Sequence, residues 1–318
     1  MFDWLCKLSE VMAVSGCENA MAARLQVLAA PYGECTRDAM GNLFVHRPGP
    51  GRRVMLTAHM DTVGLIVTYT DAHGFVRFGP IGGLHPATLV NQQVVFADGA
   101  RGVICAEAGV TGQSLGMEKL YLDPAGVSVH PGDPAQFAGA PLQQGDFVIA
   151  PYLDNRAGCA ILLEVLSKIG QTDEDLWFVF TVQEELGTRG AKPAAFEVDP
   201  AIAVVVDTCG TGDVPGEPEH SDVQLGGGPV LKLMDQNAVA HPAVNAQLQQ
   251  AAAQASVCLQ PYVAKRGGTD AGAVVPSRGG VPTGILSVPT RYLHTPNEMV
   301  SLTDLAQCAQ VLLAAFGG

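Results

Sequence analysis

The sequence predicts an α/β fold, a mixed sheet flanked by helices, into which a small all-β domain is inserted. Three observations carry this. Strand and helix patterns alternate over residues 176–206, the sign of an α/β layer. Between about residues 68 and 146 the texture changes to short β-rich pieces broken by Gly, Pro and Asp. The 318 residues also exceed the size at which one core usually stops growing, so a large domain plus a smaller one is expected. The division that follows is residues 1–67 and 147–318 as the large domain, with 68–146 as the insert.

From the amino terminus, Leu5, Leu8, Val11 and Met12 lie at helical spacing, and Leu25, Val27 and Leu28 do so again after the Ser15-Gly16 break. Two short helices are expected there. Next come a strand at residues 42–46, a Pro-Gly-Pro-Gly turn at 48–51, and a buried strand at 54–58 that delivers His59. The insert carries expected strands at 75–78, 93–96 and 102–105, and another follows it at 147–149. Helical patterning resumes at 156–169, followed by a strand at 176–182, a helix near 191–196 and a strand at 201–206. The last third adds a helix at 243–256, a loop through 265–270, a strand near 283–288 and a closing helix at 303–316, whose first turn suits Thr303 and Asp304.

Composition excludes several classes. A formal charge of −13 argues against a nucleic-acid partner, which would be met by clustered Lys and Arg. Hydrophobic residues at 47% against 15% charged leave no signature of disorder. No apolar run approaches the roughly 18–20 residues that cross a bilayer, so no membrane partner is expected. The amino-terminal residues lack the pattern of a secretory signal. Eight scattered cysteines without a Cys-x-x-Cys pair read as buried thiols of a reducing compartment, which predicts a cytoplasmic protein.

The chemistry is carried by a recurrence. Four expected strands end on a metal-compatible or acid-base residue: Ala58 before His59, Leu153 before Asp154, Val182-Gln183 before Glu184-Glu185, and Val206 before Asp207. In open α/β sheets such ends converge on one crevice. In His-Met-Asp at 59–61, one intervening residue lets His59 face a metal while Asp61 holds its other ring nitrogen; an isolated core histidine is the plain alternative.

Asp154 alone reads as a helix cap, yet a carboxylate can bridge two cations where an imidazole cannot. Adjacent Glu184 and Glu185 repel unless cations neutralise them, and one can bind metal while the other takes a proton from water; a solvated acidic turn is the alternative. Asp207 ends an apolar run and could equally cap a turn with Thr208, and His294 could be an exposed loop histidine. Together these residues compose a two-metal hydrolase site with ions about 3.5–4 Å apart. The lack of thiolate ligands favours zinc, cobalt or manganese.

The ordered set His-Met-Asp, Leu-Asp-Asn-Arg-Ala-Gly, Gln-Glu-Glu-Leu-Gly-Thr-Arg-Gly-Ala, Val-Asp-Thr, Gly-Gly-Thr-Asp-Ala and Arg-Tyr-Leu-His-Thr-Pro resembles the glutamyl and deblocking aminopeptidases, from about residue 43 to the carboxyl terminus. The resemblance implies a zinc-aminopeptidase-like fold and two divalent metal ions per subunit. One would be bound by His59, Asp154 and Asp207, the other by Asp154, Glu185 and His294. It further implies Glu184 as general base and acid, Asp61 as the orienting residue, and a cis peptide after Asp154.

Peptides with a free N-terminus would be the substrates. The insert would help subunits dimerise within a homo-oligomer, a tetrahedral dodecamer in many members. The chain departs from the family at Thr62, often acidic there, and matches poorly over residues 107–118. Two rival readings share the residues: a deacylase or carboxypeptidase with the same metal chemistry, and a metal-free binding protein that keeps the fold.

Overall fold

Residues 54–58, 176–180 and 202–206 are near-continuous apolar runs, and a run of that kind is stable only where both faces of a strand are covered. The computed structural model, which describes residues 1–216 and 222–317, places all three side by side and parallel at the centre of one sheet. From edge to edge that sheet runs Glu34–Arg37, Leu43–Arg47, Asp175–Thr181, Arg53–His59, Ile202–Gly210, Thr283–Thr290, Val230–Met234 and Gln260–Val263. It is mixed, because Leu43–Arg47 enters antiparallel on one side and Val230–Met234 on the other.

Successive strand residues serve opposite faces. Leu43, Val45, Leu56, Phe178 and Val204 meet the helices Phe2–Ser9, Asn19–Ala29, Leu153–Lys168, Pro242–Gln254 and Leu302–Phe316. Phe44, Met55, Val179 and Ala203 meet Ala191–Val198 and the short helix Ala271–Val274. Leu162, fully buried in the central helix Leu153–Lys168, is a representative contact; its truncation to Ala would cost about 2–5 kcal/mol. The closing helix is capped by Ser301, whose hydroxyl accepts the Asp304 amide at 3.1 Å. Asp304 does lie in the first turn, but its carboxylate accepts the amides of Gly226 and Gly228.

A six-stranded closed barrel is formed by Gly64–Thr70, Val76–Ile81, Leu120–Asp123, Arg101–Ala106, Gln93–Phe96 and Pro134–Phe137. Val67, Val76, Val94, Ile104, Leu122 and Phe137 fill it, and closure leaves no free edge. Tyr152 enters this core from beyond the barrel, stacking on Phe137 and accepting that residue's amide with its hydroxyl. A separate three-stranded ribbon, Leu142–Gln144, Phe147–Ala150 and Glu298–Ser301, packs Val148, Ala150 and Val300 into the core of the large domain.

Two expectations need correction. No strand runs into Asp154: the preceding strand stops at Ala150, Tyr152 turns the chain with φ 65°, and Asp154 sits in the first turn of Leu153–Lys168 with non-helical ψ 104°. The cysteines are not uniformly buried; all eight are free, but Cys17 and Cys258 are exposed, because isolated thiols need no common environment. Among the described residues no helix is long and apolar enough to cross a membrane.

Candidate metal centre

Two of the central parallel strands finish level with one another, and the third runs past them. Thr181 pairs with His59, and the register Val205 to Thr57, carried two residues further, sets Asp207 beside His59. Asp207 is interior to its strand, which continues to Gly210. His59 is 2% exposed, and its Nε2 stands 3.2 Å from Asp154 Oδ1 and 3.5 Å from Asp207 Oδ1. The other Asp154 oxygen, Oδ2, is 3.4 Å from His294 Nε2, which is also 3.4 Å from Glu185 Oε1. Asp154 therefore faces one imidazole with each oxygen.

The strand Asp175–Thr181 leads into a turn in which Gln183 takes φ 54°, a conformation few non-glycine residues adopt. That turn aims both glutamates at the sheet's end and is held by hydrogen bonds from below. Asp61 Oδ1 accepts the Glu184 amide at 2.9 Å; Oδ2 accepts the Glu185 amide at 3.1 Å and the Ser15 hydroxyl at 2.5 Å. Glu18 accepts the Gln183 amide at 3.1 Å. With those bonds made, the Asp61 carboxylate stands 3.5 Å from His59 Nδ1, whereas the Asp61 backbone carbonyl meets that nitrogen at 3.1 Å.

His294 is held from two directions. Its Nδ1 meets the Gly83 carbonyl at 2.8 Å, which leaves Nε2 for the cleft. A side chain at Gly83 would place its Cβ 3.1 Å from that nitrogen. The His294 amide donates to Glu298 Oε1 at 2.7 Å, and the Asp154 amide to Glu298 Oε2 at 2.8 Å. The peptide bond from Asp154 to Asn155 is cis. Ser15, Gly83 and Glu298 are functional neighbours that spacing along the chain does not reveal, although Gly-Pro-Ile-Gly-Gly at 79–83 stands out as a turn.

Burial and crowding set the charges. Burial, with Asp207, Asp270 and Glu185 adding repulsion, pushes Glu184 well above the usual carboxylate range. Burial raises Glu185 as well, against the pull of His294. Asp154 is displaced downward: burial works to raise it, but the imidazoles of His294 and His59 win. Burial tends to lower His294, yet the carboxylates of Asp154 and Glu185 push it up to about 12. Asp270, buried beneath Thr181, is raised to about 7 by burial.

The residues fit a pair of divalent cations. His59, Asp154 and Asp207 each present one ligand atom within 4.8 Å of the others, and Asp154, Glu185 and His294 do the same. Ligands about 2.0–2.1 Å from one tetrahedral ion stand roughly 3.3–3.5 Å apart, close to the imidazole-to-carboxylate gaps here. Asp154 Oδ1 and Glu185 Oε1 are buried without a hydrogen-bond partner, an arrangement that costs free energy unless something else satisfies them.

The site opens on a cleft of about 500 Å³, walled by Thr208, Lys232, Asn237, Tyr262, Gly268 and Leu293. Lys232 is 6% exposed, and its Nζ is 3.4 Å from the Thr208 carbonyl.

Known proteins share this architecture. A relative from Acetivibrio thermocellus is 38% identical over 324 residues, covering 99% of this chain and 98% of its own. The aminopeptidase APDkam598 of the archaeon Desulfurococcus kamchatkensis superposes with a TM-score of 0.93 at 31% identity, over 98% of this chain and 93% of that one. The TET1 peptidase of Pyrococcus horikoshii, described as assembling into a tetrahedron or a large octahedral shell, superposes at 0.88 with 29% identity over 98% of both chains. A family profile described as M42 glutamyl aminopeptidase matches residues 41–311, and the chain belongs to that family.

Proposed function

We propose that this chain is a metallo-aminopeptidase that removes the first residue of peptides bearing a free amino terminus. His59, Asp154 and Asp207 hold one divalent cation, and Asp154, Glu185 and His294 hold the second. What carries this reading is Asp154, whose two oxygens address the two imidazoles separately. The nitrogen and oxygen donors suit zinc, cobalt or manganese. Bound there, such a pair supplies a lowered pKa for water and polarisation of the scissile carbonyl.

The rest falls to the chain's own groups. Glu184 takes the proton of the attacking water on its carboxylate as the water oxygen bonds to the carbonyl carbon. It then delivers that proton to the amine nitrogen as the C–N bond breaks. Asp61 keeps the carboxyl in place through the Glu184 and Glu185 amides. The surrounding carboxylates attract a free α-ammonium, which an acylated substrate lacks.

Lys232 bears on preference within the class. Among the described residues its hydrogen bond runs to the Thr208 carbonyl and not to a carboxylate, and a buried ammonium wants one. An acidic first side chain reaching down the cleft supplies it. We further assign the protein to the cytoplasm as a homo-oligomer, with a tetrahedral dodecamer as the expected form and residues 68–146 as the pairing insert.

The test is direct. Protein stripped by chelation and reloaded with zinc, cobalt or manganese is given aminoacyl reporters with free amines, and the same compounds acylated. Cleavage of the free-amine series only in reloaded protein is expected. Cleavage confined to acylated compounds, or undiminished in stripped protein, defeats the proposal.

A further inference from the structure

Glu298 is a buried carboxylate that the mechanism above does not use. It opens the strand Glu298–Ser301 at 1% exposure. Burying a carboxylate is costly unless it is hydrogen-bonded. Both Glu298 oxygens are engaged with backbone: Oε2 accepts the Asp154 amide at 2.8 Å and Oε1 accepts the His294 amide at 2.7 Å. Neither amide has a partner within its own element. Asp154 lies in the first turn of its helix, where amides have no intrahelical acceptor, and His294 takes φ 58° in a loop.

The two residues tied to this one carboxylate are those whose side chains face each other across the cleft, Asp154 Oδ2 and His294 Nε2 at 3.4 Å. Two short backbone bonds to a single rigid group fix the distance between their Cα atoms. Because one carboxyl group accepts both amides, the two backbones are restrained together.

We infer that Glu298 is a positioning residue that presets Asp154 and His294 for cation binding. This rests on the two-cation reading. Glu298 does not line the cleft; its hydrogen bonds run to the two amides, and its carboxyl group also lies close enough to the Asp154 and His294 side chains to act on them electrostatically. Glu298→Gln keeps the shape but leaves one oxygen acceptor and turns an N–H₂ group toward the other amide.

The molecule contains a matched comparison. Asp304 is also fully buried and also accepts two backbone amides, from Gly226 and Gly228 at 2.8 and 2.9 Å, but neither residue belongs to the site. Loss of a buried clamp destabilises the fold in both variants; loss of cation affinity is expected only in one.

The experiment is a cobalt titration of stripped wild-type protein, Glu298→Gln and Asp304→Asn, followed by absorption, with thermal midpoints measured on the stripped forms. Glu298→Gln is expected to bind cobalt roughly 10–100-fold more weakly, the range for partners that orient metal ligands. Asp304→Asn is expected to bind as wild type does. Unchanged affinity in Glu298→Gln, or an equal loss in Asp304→Asn, overturns the inference. Wild-type protein that takes up no cobalt would remove the two-cation reading itself, and this inference with it. Should Glu298→Gln not fold, amide exchange on stripped wild-type protein decides. Peptides spanning Asp154 and His294 stay protected if the clamp is preset, and rapid exchange at both overturns it.

Discussion

Asp61 accepts the backbone amide of Glu184 on Oδ1 at 2.9 Å, so the residue expected to steady a histidine ring also steadies the glutamate at the next strand end. With the Glu185 amide and the Ser15 hydroxyl on Oδ2, one fully buried carboxylate supports the turn that presents both glutamates. Because Gln183 in that turn takes φ 54°, the conformation persists only while its surroundings hold it.

Asp61→Asn therefore tests the turn. The amide nitrogen of Asn cannot accept from Glu185, and a buried donor left unsatisfied costs about 1–3 kcal/mol. Urea unfolding should show a loss of that order, and kcat should fall with it. Ser15→Ala removes one hydroxyl bond and is expected to cost only about 0.5–1.5 kcal/mol. Equal stabilities in wild type and Asp61→Asn would contradict the assignment.

Glu184→Gln separates proton transfer from cation binding. The variant should take up cobalt as wild type does while kcat drops roughly 10²–10⁴-fold, the usual contribution of a general base. Metal analysis and steady-state rates check this together. Turnover near the wild-type rate would end Glu184's role as base.

The stripped protein should respond to pH through His294. Its folded pKa of about 12 lies above the ordinary 6.5, burial opposing and the carboxylates of Asp154 and Glu185 producing the rise. A raised pKa means the folded state holds the proton more tightly. The stabilisation is whole below pH 6.5 and is lost as pH climbs toward 12. Raised Glu184 and Glu185 act in the same sense. The melting temperature of stripped protein should therefore decline from pH 7 to 10, while cobalt affinity increases, because each ion must displace protons. Differential scanning and titration across that range give the answer; a rising melting temperature would speak against it.

Lys232→Met should change preference rather than rate in general. Peptides with Glu or Asp first would lose kcat/KM by roughly tenfold to a hundredfold, matching the about 1.5–3 kcal/mol of a hydrogen bond to a charged group. Peptides with Leu or Ala first should be cleaved as before. A uniform decline across the panel would mean that Lys232 only supports the wall.

Legibility followed the physics of each signal. The runs before His59 and Asp207 could be recognised because a strand buried on both faces must be apolar throughout, and its end is where polarity returns. The barrel strands Leu120–Asp123 and Pro134–Phe137 escaped the pattern because, of only four positions each, one is a residue that strands disfavour, Asp123 and Pro134. The start of the helix at Leu153 escapes the sequence pattern, because the left-handed turn at Tyr152 has no glycine to announce it.

By itself the sequence determined the α/β class, the interruption by a β-rich insert and the kinds of group available near the sheet's end. Those depend on local periodicity and on residue chemistry, which a chain carries wherever it is read. Only the tertiary structure decided which atoms meet. Ser15 reaches Asp61 across 46 positions, Glu298 reaches Asp154 across 144, and Gly83, just past the barrel strand Val76–Ile81, meets His294 across 211. Hydrogen bonds depend on ångström distances and angles, and no spacing rule transmits those through a folded chain.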